Sequence, residues 1–143
     1  MILIDANLLL YAHNADAEEH AMARTWLELQ FNGSSRVGLP WPSLLAFVRL
    51  ACNPAVVSAA LRPAIAWQCV EEWLALENVW IPEPGPKHAA ILAGFFSSSQ
   101  MTGRLVPDAH LAALAVEHGL TLCSTDGDFA KFAGLKWLNP LAA

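Results

Sequence analysis

The chain has 143 residues, 13 acids against 8 lysines and arginines, a formal charge of −5 and 55% hydrophobic residues. This length suits a single domain spanning residues 1–143, which buries about 70% of the surface its unfolded form exposes. High apolar content with little charge excludes a disordered chain, and the acidic balance excludes one that holds nucleic acid by a basic surface alone.

In chain order, residues 1–4 form a short apolar run that reads as a buried strand ending at Asp5. A helix can start at residues 6–13, and residues 15–31 read as a helix with Ala21, Trp26, Leu27 and Leu29 on its apolar side. Residues 36–39 form a second strand. Pro40 and Pro42 lead into a helix over residues 43–52, stopped by Asn53-Pro54. Helices are predicted at 62–76, 87–101 and 107–117, the last capped by Gly119. Strands are predicted at 78–81, 120–123 and 135–138, with a short helix at 126–132. Short apolar strands alternating with helices imply a parallel sheet covered on both faces.

Cys52, Cys69 and Cys123 form no C-x-x-C pair, and the five histidines are scattered. That pattern predicts a reduced, cytoplasmic chain without a zinc site. No basic, apolar leader opens the chain, and the longest run free of polar side chains, residues 89–96, is far shorter than the roughly 18 residues a spanning helix needs. No membrane association is expected. Neither a Gly-x-Gly-x-x-Gly nor a Walker lysine motif occurs.

In a parallel sheet the site lies beyond the carboxyl ends of the strands. That rule selects Asp5 after the first strand, and Ser124, Thr125, Asp126 and Asp128 after the strand at 120–123. Asp108 opens the helix before that strand. Singly, each acid also reads as a turn former or helix cap. Together, four carboxylates at one edge repel one another unless a cation bridges them or some stay protonated. Mg²⁺ or Mn²⁺ takes carboxylate and water ligands, and such an ion can activate a water and neutralise a phosphodiester leaving group. The residues therefore point to metal-assisted phosphoester hydrolysis.

Several ordered segments carry a resemblance: residues 4–12 (Ile-Asp-Ala-Asn-Leu-Leu-Leu-Tyr-Ala), Leu39-Pro40-Trp41, residues 47–50 with Asn53-Pro54, residues 108–115 leading to His118-Gly119, residues 125–132, Leu135-Lys136-Trp137 and Asn139-Pro140-Leu141. In these the chain resembles PIN-domain ribonucleases of the VapC toxin type, most closely their mycobacterial branch. The resemblance implies a three-layer α/β/α PIN-like fold with a central parallel sheet. It also implies a Mg²⁺- or Mn²⁺-dependent endoribonuclease, a VapB-type antitoxin partner and a homodimer. On the matching positions, Asp5, Asp108 and Asp126 would bind metal. Asp128 would be a fourth, outer catalytic acid, either a ligand through water or an orienter, and Ser124 or Thr125 would donate hydrogen bonds that fix the acids or the scissile phosphate.

One position departs from the family pattern. Where a glutamate usually stands early in the helix after the second strand, this chain has Ala46. Ser43, one turn earlier, is a candidate to hold a water there, or is simply an N-terminal helix residue. Asn7 is a candidate to orient a carboxylate or phosphate, or to cap the first helix. Arg49, three residues after Ala46, is a candidate phosphate contact, with a salt bridge to Glu71 or Glu72 as its competing role. Arg62, Arg104, Lys131 and Lys136 are further candidates for RNA phosphates. The stripe Trp67, Val70, Trp73, Leu74, with Leu44, Phe47 and Val48, is either interhelical core or an antitoxin groove.

Three functions compete on these residues. The first is toxin-like cleavage of structured RNA, tRNA or rRNA. The second is a degenerate PIN domain that binds RNA or a protein with little cleavage, Ala46 marking lost chemistry. The third, a receiver or haloacid-type phosphatase, fits poorly because Asp5-Ala6-Asn7 lacks a second aspartate.

Overall fold

The computed structural model describes residues 1–142. Five short strands, β1 (Ile2–Ile4), β2 (Val37–Gly38), β3 (Val79–Trp80), β4 (Thr121–Cys123) and β5 (Trp137–Leu138), form one sheet in the order β3-β2-β1-β4-β5, with every pairing parallel. The helices are α1 (Ala6–His13), α2 (His20–Phe31), α3 (Trp41–Ala51), α4 (Pro63–Leu74), α5 (His88–Phe96) and α6 (Val106–His118).

Alternation along the central strands divides the core in two. Ile4 and Cys123 join Leu8, Leu9, Leu27, Leu44, Phe47, Ala66 and Val70, so α1 to α4 cover one face. Leu3 and Leu122 join Phe95, Ala109, Leu111, Leu114 and Phe129, so α5 and α6 cover the other. This is the expected three-layer α/β/α arrangement. Helix α6 buries Ala109 and Leu111 through Ala115, and its four buried alanines let its backbone approach closely. Gly119 ends it at φ 68°, a left-handed conformation that costs glycine nothing.

Two predicted helices are shortened by side chains that compete for backbone hydrogen bonds. Helix α2 begins at His20 rather than residue 15, because Asn14 Oδ1 accepts from Asp16 N–H at 3.2 Å and holds a turn. Helix α5 ends at Phe96 rather than 101, where Ser97 Oγ donates to Gly94 O at 2.8 Å and Ser98 Oγ accepts from Gln100 N–H at 3.3 Å. The predicted helix at 126–132 is a 3-10 turn, Gly127–Lys131.

The stripe on α3 and α4 is core rather than groove. Leu44, Phe47 and Val70 are wholly buried, and Val48, Trp73 and Leu74 pack against the same cluster. Phe47 meets Trp73 edge-on with ring centroids 4.7 Å apart. Only Trp67 stands at the surface, stacked on Trp41 with centroids 6.2 Å apart. The physical reason is helix packing: the apolar face of α4 is needed to bury the apolar side of α3, as Phe47 against Trp73 shows.

Candidate active site

Asp5 stands where β1 stops and α1 starts. Its extended backbone, φ −77° and ψ 151°, lets Oδ1 accept from the Ala6 N–H at 2.8 Å, so it caps the helix. Its own N–H donates to Cys123 O at 3.0 Å, which sets it level with the end of β4. Its Oδ2 accepts from Ser124 Oγ at 2.7 Å.

Ser124 has no solvent exposure and is the hub of the edge. Besides donating to Asp5, its Oγ accepts from Asn7 Nδ2 at 3.1 Å and from the Asp126 N–H at 3.0 Å. One hydroxyl thus holds two acids and an amide at three fixed directions. Trp137 Nε1 donates to Ser124 O at 3.0 Å and secures the backbone from β5. Thr125 is half-buried and makes no side-chain hydrogen bond among the described residues. Asp126 caps the following 3-10 turn, its Oδ1 accepting from the Asp128 N–H at 2.9 Å.

Asp108 lies in the first turn of α6. Asp108, Asp126 and Asp128 are each half-buried, and each offers an oxygen within 4.8 Å of the others. Asp5 sits beside this trio, tied to Asp126 through Ser124. Burial pushes the Asp108 carboxyl up from 3.8 to about 6, with the charges of Asp126, Asp5 and Asp128 adding to the rise. Burial also raises Asp5, against the hydrogen bonds of Ser124 and Ala6 that lower it. Asp128 moves the other way. Its Oδ2 accepts from Arg104 Nη1 at 2.7 Å and its Oδ1 from Lys131 Nζ at 2.9 Å, and these bonds lower its pKa. The pairing with Lys131 has a sequence signal in the i, i+3 spacing. The pairing with Arg104, across 24 residues, has none.

Ser43, in the first turn of α3, is 1% exposed, and its Oγ has no hydrogen-bond partner among the described residues. Asn7 Oδ1 is likewise buried and unpartnered. Ala46 is half-buried. Arg49 is exposed and, among the described residues, makes no ion pair with Glu71 or Glu72. The donors gathered at the edge are oxygens. His88 of α5 and His110 of α6 instead face each other at 3.1 Å. An all-oxygen set in which Asp5, Asp108 and Asp126 make no ion pair among the described residues fits a hard divalent cation rather than zinc.

The PIN domain family model matches residues 2–135. The chain is 42% identical over 142 residues to Ribonuclease VapC37 of Mycobacterium tuberculosis (strain ATCC 25618 / H37Rv), covering 99% of each. Its fold is similar to a solved VapBC2 structure from Rickettsia felis, bound to a DNA fragment from their promoter. That match has TM-score 0.69 at 16% identity and covers 97% of this chain and 98% of the other. It is also similar to Mycobacterium tuberculosis VapC20, a sarcin-ricin loop cleaving toxin. There the TM-score is 0.67 at 18% identity, over 94% and 96% of the two chains.

Proposed function

The chain belongs to the PIN-domain family, in its VapC ribonuclease branch, and on that premise we propose that it is the endoribonuclease toxin of a toxin–antitoxin pair. The observation that carries the reading is the acid edge: Asp108, Asp126 and Asp128 offer oxygens within 4.8 Å, with Asp5 tied in through Ser124. The reaction is hydrolysis of a phosphodiester bond in structured RNA, tRNA or rRNA. Asp5, Asp108 and Asp126 would hold a divalent ion, Mg²⁺ or Mn²⁺, which would supply a lowered pKa for the attacking water and charge neutralisation on the phosphate. Ser124 keeps Asp5 and Asp126 in place. Ser43 Oγ, buried without a partner one turn before Ala46, orients a water where the usual glutamate is missing, and Asn7 orients a carboxylate or the phosphate. The degenerate, non-cleaving reading is not favoured, because the likeness to a named ribonuclease runs along the whole chain despite Ala46.

A VapB-type antitoxin is the proposed partner, and the toxin forms a homodimer in the cytoplasm. Among the described residues, no helix is long and apolar enough to cross a membrane. The shallow apolar depression that suits an amphipathic antitoxin tail lies on α2, where Met22 is 55% and Leu29 66% exposed beside Trp26.

Purified protein is expected to cleave tRNA or rRNA only with Mg²⁺ or Mn²⁺, and Asp5→Asn or Asp108→Asn abolishes cleavage on a denaturing gel. Equal cleavage in excess EDTA, or full activity in both variants, would overturn the reading.

A further inference from the structure

Of the eight lysines and arginines, Arg104 and Lys131 are the two that touch the acid edge. Arg24 pairs with Glu28 on α2, and Arg36 lies over the Trp80 ring, 4.3 Å from its centroid. Arg49, Arg62, Lys87 and Lys136 are exposed and make no ion pair among the described residues. The two exceptions come from different segments. Arg104 lies in the 3-10 turn Gly103–Leu105 that leads directly into α6, four residues before Asp108. Lys131 ends the turn that follows Asp126. Both cations are therefore tied through short backbone to acids of the site, and both converge on Asp128.

Asp128 has committed both of its oxygens, Oδ2 to Arg104 at 2.7 Å and Oδ1 to Lys131 at 2.9 Å. Arg104 and Lys131 thus place two positive charges on the rim of an edge that also holds the carboxylates of Asp108 and Asp126. The Arg104 side chain is 68% exposed and that of Lys131 37%, so both heads reach solvent. Arg104 spends one nitrogen on Asp128 and makes no other hydrogen bond among the described residues. A guanidinium has five N–H donors in a planar fork, so most of its donors stay available for a phosphate. A long cation held in place by a carboxylate has less rotamer freedom to lose when a ligand binds.

Resting on the ribonuclease reading, we infer that Asp128 is the hold of a two-cation phosphate clamp rather than a metal ligand. Arg104 and Lys131 take an RNA backbone phosphate next to the scissile one. Asp128 is then a positioning residue: it keeps the two cations together, and Asp5, Asp108 and Asp126 are left to the metal. This also answers how an acidic protein attracts RNA. Two of its eight basic side chains stand at the acid edge with their heads in solvent.

Two measurements test the clamp. Binding of fluorescently labelled tRNA is followed by anisotropy in excess EDTA, across a salt series. Arg104→Gln and Lys131→Gln are each expected to weaken binding about fivefold and to lower the salt slope by about 1. Arg24→Gln, an equal change in net charge on α2, leaves both within about twofold of the starting protein. Mn²⁺ affinity is measured separately by electron paramagnetic resonance, without RNA. Asp128→Asn is expected to stay within about threefold of the unsubstituted protein, while Asp108→Asn loses more than about tenfold. Unchanged salt slopes in both clamp variants overturn the proposal. So does Asp128→Asn losing Mn²⁺ as severely as Asp108→Asn. If the unsubstituted protein binds and cleaves tRNA while the clamp variants match it, only the clamp falls. If it neither binds nor cleaves RNA, the ribonuclease reading falls and the clamp with it.

Discussion

Ser124 Oγ makes three hydrogen bonds, to Asp5, Asn7 and the Asp126 N–H, from a side chain without solvent exposure. An alanine there leaves the Asn7 amide, the Asp126 N–H and one Asp5 oxygen without that partner. Unmade buried hydrogen bonds cost more than made ones stabilise, so Ser124→Ala is expected to lower stability by about 2–3 kcal/mol in urea unfolding. It should also raise the Asp5 carboxyl further, since the Ser124 bond is a force holding it down. Cleavage is expected to fall by more than about tenfold at neutral pH, because misplaced acids cost catalysis steeply. Unchanged stability and activity would remove Ser124 from the centre of the site. Thr125, its neighbour, lacks such contacts and is expected to tolerate alanine.

Helix α6 joins two functions along its length. Its first turn presents Asp108, and its last turn carries Glu117, whose carboxylate accepts from the Gly85 and Lys87 N–H groups at 2.8 Å each. These bonds lower the Glu117 pKa. Between them, His110 meets His88 of α5 at 3.1 Å. The loop between β3 and α5 is thus pinned by a helix whose other end forms the site. Glu117→Ala is expected to speed amide hydrogen exchange at Gly85 and Lys87 by about tenfold or more. Exchange in β1 and β4 should be unchanged, because their hydrogen bonds are in the sheet. Equal protection in the variant would show that the loop is held by its prolines instead.

For the molecule as a whole, the acid edge is a stability cost that pH and metal control. Asp108 has a folded pKa of about 6 against an ordinary 3.8, so between those values the folded state binds more protons than the unfolded one. Its contribution is therefore favourable near the lower value and is lost as pH rises through about 6. Asp5, also raised, has the same sign. Asp128, lowered by its two cations, has the opposite sign and stabilises above its unfolded pKa. In EDTA the melting temperature is expected to fall between pH 5 and 7. Asp108→Asn is expected to recover about 1 kcal/mol at pH 7, after allowing for solvent screening. Mg²⁺ or Mn²⁺ should raise the melting temperature at pH 7 and much less at pH 5, where Asp108 holds a proton. A metal effect independent of pH would contradict the assignment of Asp108 as a ligand.

Chain order, element type and the edge position of the acids all follow from local patterns. Apolar runs of strand length, prolines at helix starts and Gly119 at a helix end act over a few residues, so they are readable without the fold. The departures are also local in origin: Asn14, Ser97 and Ser98 trim α2 and α5 through bonds to nearby backbone. The rest required the chain to close on itself. Ser124 reaches Asp5 across 119 residues and Asn7 across 117, and Arg104 reaches Asp128 across 24. An apolar stripe looks the same whether it lines a groove or fills a core, and only the packing of α3 on α4 put Leu44, Phe47 and Val70 inside. The four acids were visible as a group because the carboxyl ends of parallel strands share one edge. Which of them is tied to a serine, and which to two cations, depends on side-chain directions that only the assembled sheet and helices set.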